Sequence, residues 1–176
     1  MDILNKYKRM SAAGLADLTE ATYYHNTPAA FHTYRAYYLF TIAIAGGWFM
    51  WEKLLNPEQF LQWLEAHQPL KSQLQLGEIP HKLIMPESSP IRTQPHLAYW
   101  CIRASTYLGL DKVSSTNWEP FEDLFGLPHK TLCRTTGPLD LKRDTQGRIV
   151  KKREEYTAEI DAFFDALETA LNPEQQ

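Results

Sequence analysis

Apolar positions along this chain recur mostly at helical spacing. Ile3, Leu4, Tyr7 and Met10 share one face of a short N-terminal helix, and Leu15 and Leu18 continue the spacing after Gly14. Asn26 or Thr27 can cap the next helix, with Pro28 in its first turn, where a missing N–H costs nothing. The pattern predicts that this helix runs through the uncharged stretch Ala36–Trp51 to about Leu55. Asn56-Pro57-Glu58-Gln59 repeats the capping device, and Phe60, Leu61, Trp63 and Leu64 supply a further buried face. Residues 1–68 therefore read as a helical bundle.

Helical spacing disappears over residues 69–95, which hold five of the eleven prolines (Pro69, Pro80, Pro86, Pro90 and Pro95). Proline fixes φ and biases its predecessor away from helix, so this segment reads as an irregular connector with one extended piece at Lys82–Met85. Its Leu and Ile content predicts that it packs on something.

Helical spacing returns at His96–Leu108, with Gly109 as the stop. Asn117 can cap a short helix over Trp118–Phe125, Gly126-Leu127-Pro128 breaks the chain, and His129–Arg134 can form a third helix before Thr135-Thr136-Gly137-Pro138. Leu139–Lys152 places two strand-like runs around the turn-forming Asp144-Thr145-Gln146-Gly147. The last segment, 154–176, carries Tyr156, Ile160, Phe163, Phe164, Leu167 and Leu171 as one apolar stripe on an amphipathic helix suited to packing or dimerisation.

Composition adds bounds. A chain of 176 residues with 44% apolar and 22% charged content can build one good core. The uncharged stretch Ala36–Trp51 covers roughly 24 Å as a helix, against a hydrocarbon core of roughly 30 Å, and Gly46-Gly47 interrupts it. A core helix is the expectation and a membrane span is not. Two cysteines, Cys101 and Cys133, without a secretory leader, fit a reducing cytoplasm better than a disulfide framework.

Charge changes the picture more. Lys130, Arg134, Lys142, Arg143, Arg148, Lys151, Lys152 and Arg153 face only Asp140 and Asp144 within residues 130–153, while residues 154–176 carry seven acids and no base. The net charge of −3 conceals this sorting. A concentrated positive segment is the commonest footprint of a phosphate-backbone partner.

The run FEDLFGLPHKTLCR, Phe121 to Arg134, resembles the helix-turn-helix of bacterial winged-helix transcription regulators. Apolar Phe121 and Phe125 precede the turn glycine, Gly126, and Leu127 and Leu132 follow it, while Glu122 stands where such helices usually cross on a small residue. The resemblance covers residues 96–153, and helix, helix, turn, helix, hairpin is a winged-helix order. It implies a winged-helix-like segment carrying one small β-hairpin, which with the helical bundle read from the spacing of residues 1–68 makes a mainly α fold. It also implies that His129, Lys130, Thr131 and Arg134 face the DNA from a recognition helix, with Lys142, Arg143, Arg148, Lys151 and Lys152 along a wing. A homodimeric regulator of duplex DNA is the function implied. The alternative is a non-enzymatic protein–protein adaptor or assembly subunit, in which the basic hairpin pairs with the acidic terminal helix.

Other chemistries have little footing. The chain lacks G-x-x-x-x-G-K-[ST], G-x-G-x-x-G and G-x-S-x-G, so no catalytic residue is expected. His96 with Cys101 and His129 with Cys133 do not follow the spacing of structural zinc modules, and neither metal nor cofactor is expected. Tyr23, Tyr24, Tyr34, Tyr37, Tyr38 and Trp48 could stack on single-stranded bases, but they lie apart from the basic segment and read as core or interface.

Overall fold

The computed structural model of the protein describes residues 23–24, 27–52, 82–113, 115–151 and 154–171. The expected helices before Tyr23 and after Asn56, the first half of the connector, the wing residue Lys152 and its basic neighbour Arg153 lie outside them. The described chain is mainly helical, with two small antiparallel two-stranded sheets.

Helix α1 spans Tyr34–Ala45 and starts later than the sequence suggests. Thr33, not Asn26 or Thr27, is its cap and accepts the Ala36 N–H at 3.1 Å, while Pro28 leads only into a 3-10 turn at Ala29–Phe31. Ala36, Leu39, Phe40 and Ala43 form its buried face. The helix also ends earlier, at Ala45 rather than near Leu55. Gly47 takes φ +79, its N–H reaches the Ile44 carbonyl at 3.1 Å, and the Trp48 N–H reaches the Ala43 carbonyl at 2.9 Å. This paired closure turns the rest of the apolar run into strand β1, Met50–Trp51. The Cβ of an alanine at 47 would meet no atom within 4 Å, so Gly47→Ala isolates the left-handed strain. We expect it to cost about 1 kcal/mol in urea unfolding.

Strand β2, Leu83–Ile84, pairs with β1 in the register Met50↔Ile84 and Trp51↔Leu83, so the connector's extended piece forms where the sequence places it. Beyond it, Ser89 donates its hydroxyl to the Trp48 carbonyl at 2.8 Å and fixes the connector to the end of α1.

Helix α2, Gln94–Tyr107, is capped by Thr93 and closed through Gly109. It is the centre of the molecule: Leu97 through Ile102, Ala104, Ser105 and Tyr107 are all buried, a helix enclosed nearly all round. Helix α3, Glu119–Leu124, has Pro120 in its first turn, and Trp118 is its cap residue in place of Asn117, without a side-chain cap bond. Strands β3, Lys142–Arg143, and β4, Ile149–Lys151, form the expected hairpin. Helix α4, Glu154–Leu171, packs on α2, burying Ile160, Phe164 and Leu167 of its expected stripe. One hydrophobic cluster runs from Tyr23 through Leu167. No helix among the described residues is long and apolar enough to cross a membrane.

The third helix of the expected helix-turn-helix is absent. His129–Leu132 form turns, Lys130 takes φ +70, and Cys133–Thr135 is a single 3-10 turn. The residue that departs from the helix-turn-helix pattern gives the reason. Glu122 is 2% exposed, and its two carboxylate oxygens accept the backbone N–H groups of Lys130 at 3.1 Å and Leu132 at 3.0 Å. A buried anion holding alternate backbone donors stabilises a loop wrapped around it rather than a helix.

Candidate nucleic-acid interface

The segment from Pro128 to Lys151 is shaped by two acceptor sites. Glu122 organises the first half from inside. Asp144 organises the hairpin turn: its Oδ1 accepts the N–H groups of Gln146 and Arg148, both at 2.9 Å, and its Oδ2 meets Arg148 Nε at 2.8 Å. The Arg148 backbone N–H, chiefly, holds the Asp144 carboxyl below the usual range.

The nine expected contact residues separate into groups. Lys130 and Arg134, on the turn segment, and Lys142, on β3, are exposed, and no ion pair engages them among the described residues. Arg148 is exposed but ion-paired with Asp144. Arg143 is partly buried, donating from Nη1 to the Gly147 carbonyl at 2.9 Å and from Nη2 to Thr116 Oγ1 at 3.0 Å. Thr131 donates its hydroxyl to the Pro128 carbonyl. Lys151 closes β4, and Lys152 lies outside the described residues.

His129 sits between acids: its Nε2 lies 2.9 Å from Asp123 Oδ1 and its Nδ1 3.4 Å from Glu119 Oε1. The hydrogen bond to Asp123 chiefly raises its pKa above the ordinary value. A raised folded-state pKa means this pair contributes fully below the unfolded value of about 6.5 and loses its contribution as pH rises through the folded pKa. We expect an NMR titration to find His129 titrating above 6.5 and falling back towards it in Asp123→Asn; an unchanged midpoint would show that the pair does not form in solution.

Two acids of α4 are held by the central helix. Asp161 and Asp165 bind Arg103 of α2, at 2.8 Å and 3.2 Å, and Tyr99 donates its hydroxyl to Asp161. Among the described residues they are engaged by α2 rather than by the hairpin. Sequence reasoning did not find this network, whose partners are some sixty positions apart, nor the carboxylate of Glu122 as an organiser. The one available signal for Glu122 was an acid at a position that packing reserves for a small residue.

Other expectations are partly visible. Tyr23, Tyr24 and Tyr37 pack on one another, with Tyr24 stacked on Tyr37 at 5.7 Å between ring centres, and buried Trp48 packs on Phe163 of α4; Tyr34 alone of the six is broadly exposed. Cys101 is fully buried and its thiol is pushed well up by burial, whereas Cys133 is exposed. No cluster of three metal-ligating side chains occurs among the described residues. Comparison with models of known protein families, with curated proteins and with solved structures gives no match.

Proposed function

We propose that the chain is a non-enzymatic binder of duplex DNA, a small cytoplasmic regulator that grips the phosphate backbone with the turn segment and hairpin of a winged-helix-like frame. The observation that carries this reading is that Lys130, Arg134 and Lys142 stand exposed and without an ion pair among the described residues, while Asp161 and Asp165 of α4 bind Arg103. With no recognition helix at residues 129–134 the contacts position rather than specify, so affinity depends more on salt than on sequence. Two copies in a dimer double the number of phosphates met.

Binding of the full chain to a labelled random duplex across a salt series tests this. Three neutralised phosphates give a slope of log K against log salt of about −3, doubled in a dimer. In the triple variant Lys130→Ala, Arg134→Ala, Lys142→Ala the slope is expected to fall towards zero. No binding at low salt, or a slope untouched by the triple variant, overturns the reading and leaves the protein–protein adaptor in its place.

A further inference from the structure

Between α2, the turn end of the β3–β4 hairpin and α4 lies a cavity of about 320 Å³. The charges on its wall are unevenly compensated. Arg103 is matched by Asp161 and Asp165, and Arg148 by Asp144. Arg143 is not matched: among the described residues its guanidinium meets only the neutral oxygens of Gly147 and Thr116, which fix its plane and leave further N–H groups unused. Asp111 is the converse. Its two oxygens accept the hydroxyls of Ser105 at 2.5 Å and Thr106 at 2.8 Å, with no cation among the described residues within ion-pair distance. Glu168 adds a second carboxylate without an ion pair.

The cavity therefore presents one pre-oriented guanidinium and one pre-oriented carboxylate that do not neutralise each other. Both are held by neutral groups, so a ligand need not displace an ion pair or order the side chains first. Ile102 and Ile149 make part of the lining apolar, and Tyr107, whose buried hydroxyl has no hydrogen-bond partner among the described residues, belongs to the same wall. A phosphate fits this balance poorly, since the uncompensated charges are one cation against two carboxylates.

We propose that this cavity binds a small zwitterion of the α-amino acid class with an apolar side chain, its carboxylate on Arg143 and its ammonium on Asp111 and Glu168. The inference goes beyond nucleic-acid binding and does not depend on it. Because Arg143 belongs to the hairpin and Asp111 follows α2, the ligand also ties the hairpin to the central helix.

Calorimetric titration of the full chain with L-leucine and L-phenylalanine tests it, alongside the matching carboxylic acids without the amine and the amines without the carboxylate. We expect saturable binding of at least one amino acid, and at least about tenfold weaker binding of both its analogues, since each lacks one charge-assisted hydrogen bond. In Asp111→Asn, which can still pair with both hydroxyls, the amino acid should fall to the level of its amine-free analogue while that analogue is unaffected. Arg143→Gln should show the reverse selectivity. No saturable binding of either amino acid, equal binding of the analogues, unselective losses in both variants, or preferential binding of adenosine monophosphate overturns the proposal.

Discussion

Replacing Glu122 with alanine is expected to destabilise the protein by about 3–5 kcal/mol. Two hydrogen bonds to a charged acceptor are lost, each worth about 1.5–3 kcal/mol, and the donors do not simply return to water. Leu132 is fully buried, so its N–H is stranded. An opposing effect has to be weighed: a buried carboxylate costs desolvation energy, and its removal recovers that cost. The recovery is smaller, because both oxygens already hold N–H groups in place of water and so offset much of that cost. Glu122→Gln separates the two effects. Its amide keeps one acceptor but turns an NH2 donor towards the other N–H, so about 2 kcal/mol should be lost with the volume unchanged. Urea unfolding of both variants checks this. A loss below about 1 kcal/mol for the alanine would mean that the turn segment does not depend on the carboxylate.

The same residue shows what the sequence could and could not say. Three helices and a hairpin are legible from local pattern: the spacing of Ala36, Leu39, Phe40 and Ala43, the nearly continuous apolar character of Leu97–Ile102, the stripe of Ile160, Phe164 and Leu167, and the turn cluster Asp144–Gly147. The errors arise where local pattern is ambiguous. In Ala36–Trp51 the apolar run does not distinguish helix from strand, and the chain switches between them at Gly47 because a left-handed residue closes the helix there. In His129–Arg134 the composition permits a helix, but six residues between Pro128 and the Thr135-Thr136-Gly137 stop are fewer than helix nucleation favours in isolation. A carboxylate from the preceding helix then decides the outcome.

The candidate interface divides likewise. That positive charge is concentrated after residue 129 is a property of composition and needs no structure. Which cations remain available does. Arg148 and Asp144 are four apart and their pairing follows from the turn, but Arg143 bonds Thr116, 27 positions away, and Asp161 and Asp165 of α4 bind Arg103 of α2. Those two acids are drawn to a partner some sixty positions away, which no pattern of charge in adjacent segments reveals.

The second large effect is expected at Trp100, fully buried where the elements meet. Its indole lies edge-to-face with Phe49 at 4.7 Å and tilted against Phe40 of α1 at 5.7 Å and Phe164 of α4 at 5.5 Å. Trp100→Ala removes those contacts and leaves a cavity, which predicts a loss of about 3–5 kcal/mol. The indole also carries a liability, because its Nε1–H is buried without a partner among the described residues. Trp100→Phe keeps a ring in place and discards that orphan donor, whose burial costs about 1–3 kcal/mol, so its lost ring volume is largely offset and the net change should stay within about 1.5 kcal/mol. Equilibrium unfolding followed by circular dichroism separates the two variants by magnitude, and hydrogen exchange by location. Because Trp100 touches both α1 and α4, protection should fall in both when alanine replaces it. Loss confined to α4 would show that the contacts with Phe40 and Phe49 do not join the N-terminal elements to the central helix.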